Sequence, residues 1–281
     1  MVNIANLRTR DIRVIVCDLD GTLLNSEKRI SAKNLQAIKS ARAKGVFTTI
    51  CSGRVPAMLE AYSRELSIEI PLIAANGAVV YDVASKCHLH TEKIPADVIA
   101  PVLDFFRHYD YGVLGSAGGY FTPVSKRIER FIQYNEIARQ QGLEEIPLHY
   151  IEDGNYNQAL SMDIYKVLVS ELSPGDIDKA RDFLNTRSDL EYTSSDHGLL
   201  DISAIGVNKG IGVTKLARLM GLPKDAVCAI GDFFNDISMF RSAGLSIAMG
   251  NAHPDVKSEA MAVTTSNNAD GVAIAIEKYI L

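Results

Sequence analysis

The sequence has 281 residues, which is enough for one large domain or for two smaller domains with a core each. Hydrophobic residues make up 47% of the chain and charged residues 22%, a balance that excludes fibrous and intrinsically disordered proteins. The formal net charge of −5 gives the protein no general electrostatic attraction to nucleic acid polymers or to anionic membranes.

The N-terminal segment lacks the long apolar core of a signal peptide, and no apolar run approaches the length of a membrane span. The four cysteines, Cys17, Cys51, Cys87 and Cys228, form no C-x-x-C pair, which disfavours a zinc or thioredoxin-like site. We interpret Cys17, Cys51 and Cys228 as buried free thiols. These features predict a cytoplasmic protein.

The first third of the chain alternates short, apolar, β-branched segments with segments whose apolar residues recur at helical spacing. Such alternation predicts parallel strands that are joined by crossover helices. The predicted elements are strands at 12–17, 46–51 and 72–75 and helices at 31–44 and 55–66. Asn76-Gly77 then predicts a tight turn into a strand at 79–81.

The last third repeats this alternation, and so predicts more of the same sheet. The predicted elements are strands at 199–203, 226–230, 245–249 and 261–264 and helices at 213–220, 237–243 and 271–280.

The middle of the chain, from about Ala84 to Ser195, has more aromatic residues, a glycine-rich stretch and hairpin-like segments. This mixed pattern predicts a separate α+β module that is inserted into the parallel-sheet domain. We therefore expect an α/β protein with a Rossmann-like parallel-sheet core formed by residues 1–83 and 196–281, and an inserted α+β domain at 84–195.

Polar residues follow the predicted strands of the core. Because ligands of open parallel sheets collect beyond the carboxyl ends of the strands, these residues are the candidates for chemistry. The clusters are Asp18-Leu19-Asp20-Gly21-Thr22, Ser52-Gly53-Arg54, Lys209-Gly210 and Gly231-Asp232-Phe233-Phe234-Asn235-Asp236.

Asp18 and Asp20 are two residues apart, so in an extended backbone both side chains project to the same side. One of them can then act as a nucleophile and the other as an acid and base, since carboxylates do form aspartyl-phosphates. The alternative is that both aspartates simply form a turn before Gly21.

Asp232 and Asp236 would bring further negative charge to the same place. Each like-charge pair at about 4 Å costs on the order of 4 kcal/mol at an effective dielectric of 20, and a bound phosphate adds to the repulsion. A site of this kind requires a hard cation, and Mg²⁺ suits carboxylates together with a substrate phosphate. The alternative is that Asp232 and Asp236 cap and stabilise the start of a helix.

Ser52 and Gly53 lie at a strand-to-helix junction, where a hydroxyl group and free backbone N–H groups can hold phosphate oxygens. Lys209 can neutralise a phosphate and the charge of a transition state. The alternatives are a plain serine cap with a turn glycine, and a solvated lysine at the edge of a helix.

In their order and spacing, these four clusters resemble the motifs of the haloacid dehalogenase superfamily, and in particular its Cof-type phosphatases. Ala75-Asn76-Gly77-Ala78 and Met249-Gly250-Asn251-Ala252 resemble further signatures of the Cof-type group. The similarity extends over nearly the whole chain and is weakest in the inserted middle, which in this family is a variable cap that selects the substrate.

The resemblance implies a role for each matching acidic residue. Asp18 would be the nucleophile and a Mg²⁺ ligand, and Asp232 would be the other side-chain ligand. Asp20 would protonate the leaving alcohol, then activate water, and would give its backbone carbonyl to the metal. Asp236 would orient the loop or water at the metal.

The resemblance also implies which residues hold the phosphoryl group. They are Ser52, Gly53, Lys209 and Asn235. Thr22 would support the loop, whereas Arg54 stays open between contact with the substrate and structure at the start of the helix.

The function implied is a magnesium-dependent phosphatase that hydrolyses small phosphorylated metabolites, namely sugar phosphates, nucleotides or cofactor phosphates, through an aspartyl-phosphate intermediate. One alternative is a phosphomutase-type transfer between hydroxyl groups on the same core, which would exclude water. Another is a non-catalytic protein that binds phosphorylated metabolites. The expected partner is a small phosphorylated molecule, with no nucleic acid polymer and no membrane, while the oligomeric state stays open.

Overall fold

The computed structural model describes residues 11–196 and 198–281. Residues 1–10, on which the expectation of no signal peptide depends, lie outside the described residues, as does residue 197. The chain divides into two compact units. The first unit comprises the chain up to Arg54, Tyr62–His90 and Asn208–Leu281, and the second unit comprises Val55–Ala61 and Thr91–Val207.

The helices and strands are numbered in chain order. The strands are β1 Val14–Cys17, β2 Phe47–Ile50, β3 Leu72–Ala74, β4 Val79–Asp82, β5 Cys87–Thr91, β6 Asp110–Gly115, β7 Gly118–Phe121, β8 Leu148–Tyr150, β9 Ile164–Ser170, β10 Leu190–Asp196, β11 Leu199–Ala204, β12 Val227–Gly231, β13 Leu245–Ala248 and β14 Ala262–Val263. The α-helices are α1 Ala32–Ala43, α2 Glu60–Leu66, α3 Ala96–Phe105, α4 Ile128–Gln140, α5 Asn157–Leu160, α6 Pro174–Asn185, α7 Lys209–Leu219, α8 Ile237–Arg241, α9 Pro254–Ser258 and α10 Gly271–Tyr279.

The first unit contains a five-stranded sheet in the order β14-β13-β12-β1-β2, and every pair in it is parallel. Val14 of β1 lies opposite Val227 of β12 and Phe47 of β2. The carboxyl ends of β12, β1 and β2 are therefore neighbours, which confirms the predicted parallel α/β fold.

The strands of this sheet are apolar because both of its faces are covered. All four residues of β1 are buried. Val14 and Val16 belong to one cluster with Val213 and Leu216 of α7 and with Phe240 of α8. Burial of these side chains anchors β1, and with it the residues that follow its carboxyl end.

The predicted third strand has a different partner from the one expected. β3 pairs with β4 in a three-stranded sheet, β3-β4-β5, and the β3–β4 pair is antiparallel. A single parallel bridge between Cys51 and Ile73 joins β3 to the chain just after β2. The tight turn predicted at Asn76-Gly77 connects β3 to β4.

The second unit is an α+β structure, as the sequence predicts. Its six-stranded sheet has the order β10-β11-β9-β6-β7-β8, and its pairs are antiparallel except for β7 with β8. The alternating side chains Val167 and Leu168 of β9 belong to different clusters. Val167 packs in a cluster with residues of α3 and α6, whereas Leu168 packs with residues of α4.

The strand at Leu199–Ala204 corrects the sequence analysis, which assigned it to the parallel-sheet core. It is β11, and it pairs antiparallel with β9 and β10. The second unit accordingly extends to Val207, beyond the predicted boundary at 195, and it begins at Thr91 rather than at 84. A strand pattern of six residues does not specify its partner strand, and the hairpin with β10 forms locally.

In the part of the chain that the structure describes, no helix is both long enough and apolar enough to cross a membrane.

The loop after β1 closely approaches the loop after β12. Gly21 has a φ of +84°, a conformation that side-chain-bearing residues rarely adopt. A Cβ atom on Gly21 would lie 2.4 Å from Oδ2 of Asp232. A glycine is therefore required at this position both by the backbone and by the neighbouring carboxylate.

We predict that Gly21→Ala destabilises the protein more than Gly45→Ala does. Gly45 has a similar φ of +80°, but a Cβ atom on Gly45 would meet nothing within 4 Å, so its substitution measures the backbone penalty alone. That penalty is about 1–2 kcal/mol, and the clash in Gly21→Ala adds to it. Urea unfolding of both variants measures the difference, and equal losses of stability would contradict the close approach of Gly21 to Asp232.

Candidate active site

The predicted site residues of the first unit come together at the carboxyl edge of the parallel sheet. The backbone N–H of Asp18 donates a hydrogen bond to the carbonyl of Ile230 at 2.9 Å, which continues the pairing of β1 with β12. The backbone N–H of Cys51 donates to the carbonyl of Cys17 at 2.8 Å, on the side of β2. Parallel pairing therefore places the residues after β12, β1 and β2 side by side.

Three carboxylates form an acidic cluster at this edge. Oxygen atoms of Asp18, Asp232 and Asp236 lie within 4.8 Å of one another. Residues more than 200 positions apart in the sequence thus meet at a distance that allows them to share one ion. The positions of the strand ends in the sequence predict this convergence.

A buried lysine compensates part of this negative charge. Nζ of Lys209 donates a hydrogen bond of 2.6 Å to Oδ1 of Asp18 and another of 2.6 Å to Oδ1 of Asp236. Burial alone would lower the pKa of Lys209, but the carboxylates of Asp18 and Asp236 raise it above its ordinary value. The ammonium group is therefore charged, and Lys209 is not the solvated lysine of the alternative interpretation.

Lys209 is held in place by the start of its helix. It is the first residue of α7, and the side chain of Asn208 caps this helix by accepting a hydrogen bond from the backbone N–H of Ile211 at 3.1 Å. Such a cap stabilises a helix by about 1 kcal/mol.

The carboxylates retain a surplus of negative charge. Burial raises the pKa of Asp18 well above its ordinary value, and the carboxylates of Asp236 and Asp232 raise it further, although Lys209 opposes them. Burial, followed by the carboxylate of Asp236, raises the pKa of Asp232 to about 7. One ammonium group therefore does not fully compensate the cluster.

Asp236 organises the loop that carries Asp232. Its Oδ1 is taken by Lys209, and its Oδ2 accepts hydrogen bonds from the backbone N–H groups of Asp232 at 2.8 Å and of Phe233 at 2.9 Å. Both oxygens of Asp236 are thus occupied by protein donors. Through these contacts Asp236 orients the loop after β12.

The carboxylate of Asp232 is oriented by two neutral side chains. Oγ1 of Thr22 donates to Oδ1 of Asp232 at 2.7 Å, and Nδ2 of Asn251 lies 3.3 Å from Oδ2. Asn251 also donates to the carbonyl of Gly21 at 2.9 Å. Asn251 belongs to the Met249–Ala252 signature, but the sequence alone indicated no role for it.

The predicted acid and base, Asp20, pairs with cations. Nε of Arg54 donates to Oδ2 of Asp20 and Nη2 donates to Oδ1, each at 2.9 Å, and Nζ of Lys28 donates to Oδ1 at 2.8 Å. All three of these hydrogen bonds come from cationic side chains. Pairing of the Arg54 guanidinium group with Asp20 is a third possibility, beside the two that were left open for Arg54.

The arginine itself is packed on an aromatic ring. The guanidinium carbon of Arg54 lies 5.2 Å from the centroid of the Tyr62 ring, a favourable cation–π arrangement. Burial alone would lower the pKa of Arg54, but its hydrogen bonds to Asp20 raise it.

The residues predicted to hold a phosphoryl group are linked through an asparagine that the sequence analysis left without a role. Nδ2 of Asn235 lies 3.3 Å from Oδ1 of Asn76, and a Cβ atom on Gly53 would lie 3.0 Å from the same oxygen. The hydroxyl of the buried Ser52 accepts a hydrogen bond from the backbone N–H of Arg54 at 3.3 Å. Asn76 was recognised only as part of a turn and a signature.

The chemistry of these ligand atoms suits a hard divalent cation. The acidic cluster offers only oxygen atoms, and it has too little positive charge of its own. Oxygens of Asp18, Asp232 and Asp236 lie close enough together to surround such an ion.

Comparisons with known proteins agree with this geometry. Residues 15–276 match the haloacid dehalogenase-like hydrolase family. A 5-amino-6-(5-phospho-D-ribitylamino)uracil phosphatase of Bacillus subtilis is 33% identical over 96% of this chain and 98% of its own length. A pyridoxal phosphate phosphatase of Escherichia coli is 29% identical over 96% of this chain and 99% of its own length.

Solved structures share the fold. A haloacid dehalogenase-like hydrolase from Bacillus subtilis superposes with a TM-score of 0.82 and 27% identity, covering 95% of this chain and 99% of its own. A protein from Thermotoga maritima superposes with a TM-score of 0.75 and 28% identity, covering 95% of this chain and 97% of its own. The resemblance read from the sequence motifs is therefore confirmed: the chain belongs to the haloacid dehalogenase-like hydrolases, and it is a phosphatase of the Cof type.

Proposed function

We propose that this phosphatase is magnesium-dependent and that it hydrolyses small phosphomonoesters through a phosphorylated Asp18. The observation that carries the proposal is the meeting of Asp18, Asp232 and Asp236 around one point, with Lys209 bonded to Asp18. This arrangement provides a nucleophile, an oxygen-rich place for a cation and a fixed positive charge within one small volume.

In the first displacement, a carboxylate oxygen of Asp18 attacks phosphorus and the bond from phosphorus to the ester oxygen breaks. The leaving oxygen takes a proton from Asp20. Lys209 is bonded to Asp18 and so lies where negative charge collects on the transferred group. When bound, Mg²⁺ would supply electrostatic stabilisation of the phosphoryl oxygens.

In the second displacement, Asp20 takes a proton from water as the water oxygen attacks phosphorus. The bond between phosphorus and Asp18 breaks, which releases inorganic phosphate and restores the carboxylate. The bidentate pair with Arg54 orients the carboxylate of Asp20, and one of these two hydrogen bonds has to open when an oxygen of Asp20 binds the proton. Splitting the reaction into two steps lowers the barrier of each.

The names of the relatives support a small phosphorylated metabolite as the substrate. One relative acts on 5-amino-6-(5-phospho-D-ribitylamino)uracil and another on pyridoxal phosphate. Both compounds are phosphomonoesters of small polar molecules. We therefore propose the same general class here, which includes sugar phosphates, nucleotides and cofactor phosphates.

We predict that Asp18→Asn lowers the rate of phosphate release by about 10³-fold or more, because the amide cannot act as the nucleophile. The assay measures inorganic phosphate released from a panel of these esters by wild type, Asp18→Asn and the control variant Asp255→Asn, which makes the same chemical change at an exposed aspartate. Retained activity in Asp18→Asn would exclude Asp18 as the nucleophile, and an isomerised ester without phosphate release would indicate a mutase instead.

We predict that Mg²⁺ raises the melting temperature of wild type and that Asp232→Asn abolishes the shift. A ligand present at about 100 times its Kd stabilises the folded state by about 2.7 kcal/mol, which thermal unfolding readily detects. Asp255→Asn should keep the shift. Unchanged phosphate release after chelation of divalent ions, together with no thermal shift in wild type, would contradict the magnesium site.

A further inference from the structure

The turn between β3 and β4 has an unusual backbone. Three successive residues adopt positive φ values, 49° at Ala75, 54° at Asn76 and 98° at Gly77. For a residue with a side chain, the left-handed conformation costs roughly 1–2 kcal/mol. Strain of this kind persists where the surrounding structure holds the chain in place, and it concentrates at functional sites.

The turn is held by the predicted phosphate-binding loop. The backbone N–H of Ala75 donates to the carbonyl of Arg54 at 2.8 Å, and the backbone N–H of Asn76 donates to the carbonyl of Ser52 at 3.0 Å. These two hydrogen bonds fix the turn against both ends of the Ser52–Arg54 segment.

The turn is also held by the start of the helix that carries Lys209. A Cβ atom on Gly77 would lie 2.1 Å from the carbonyl oxygen of Asn208, and a Cβ atom on Gly212 would lie 3.0 Å from Cα of Gly77. This close packing excludes side chains on both glycines. It therefore fixes the spacing between the turn and Lys209.

The side chain of Asn76 completes these connections. It is buried, and its Oδ1 lies 3.3 Å from Nδ2 of Asn235 and close to Gly53. A glycine would adopt the same backbone conformation at a lower cost. The conformation of the turn by itself therefore does not require the amide group, and the contacts of this group point to a second role.

We propose that Asn76 is a positioning residue that sets the distance between Gly53 and Asn235, and so determines the affinity of the site for the phosphoryl group. This inference rests on the proposed function, because it takes Ser52, Gly53, Lys209 and Asn235 as the phosphoryl-binding residues. The left-handed turn holds the backbone of Asn76 in one place. The side-chain amide of Asn76 then fixes the positions of Gly53 and Asn235, which lie in two different loops.

The test compares Asn76→Gly with Ser67→Gly. Ser67 is an exposed residue of the first unit with a φ of 50°, so both substitutions relieve a left-handed backbone and remove a small polar side chain. Both variants should fold with a melting temperature close to that of wild type. For Asn76→Gly we expect about a tenfold higher KM for phosphomonoesters and about a tenfold weaker inhibition by inorganic phosphate, the size of one hydrogen bond, with kcat changed less than about threefold.

Ser67→Gly should leave KM, kcat and phosphate inhibition unchanged. A merely structural role of Asn76 would lower the melting temperature of Asn76→Gly and leave its KM and phosphate inhibition at wild-type values, which would overturn the inference. Calorimetric titration with inorganic phosphate in the presence of Mg²⁺ gives the same comparison without turnover. Failure of wild type to hydrolyse any ester would contradict the proposed function, whereas equal phosphate affinity of wild type and Asn76→Gly would contradict only this inference.

A double-mutant cycle of Asn76 and Asn235 provides a second test of the same proposal. If Asn76 acts by placing Asn235, then Asn76→Gly should weaken phosphate binding strongly in wild type and weakly in the Asn235→Ala background. Additive losses in the double variant would show that the two side chains act independently and would overturn the positioning role.

Discussion

The ion pairs of the buried Lys209 with Asp18 and Asp236 are the interactions on which the site depends. Removing the cation from a buried pair costs about 3–5 kcal/mol, because a carboxylate is then left buried and uncompensated. Lys209 balances only one of the three carboxylates in the acidic cluster. Burial first, and then the neighbouring carboxylates, raise the pKa values of Asp18 and Asp232. In the proposed function, a divalent cation and a phosphate would bind here together and each would compensate the charge of the other.

The parallel sheet explains how such distant residues meet. β1 lies between β12 and β2, so the residues that follow these three strands emerge at one edge. Thr22 of the loop after β1 then binds Asp232 of the loop after β12, and Asp236 binds the backbone of its own loop at Asp232 and Phe233. Hydrogen bonds of the loop side chains thus fix the geometry of the site, while the buried apolar strands fix the positions at which the loops begin.

The sequence predicted which residues lie together at the site better than it predicted their hydrogen bonds. The strand-end positions of Asp18, Ser52 and Asp232 follow from apolar periodicity, which is a local property and is readable in one sequence. The contacts of Asn76, Asn251 and Lys28 depend on loop conformations that no periodic pattern encodes, so these residues were missed or left without a role. The placement of β11 was wrong for a similar reason: its apolar pattern fits either sheet, and only pairing with β9 and β10 decides between them.

The most direct test is to locate a divalent ion in crystals of the protein soaked in Mn²⁺, which prefers the same oxygen ligands as Mg²⁺ and scatters anomalously. We predict one strong anomalous peak that lies about 2.0–2.2 Å from carboxylate oxygens of both Asp18 and Asp232. Saturating Mn²⁺ without a peak between these two residues, or with the ion bound elsewhere, would contradict the proposal that they share a metal.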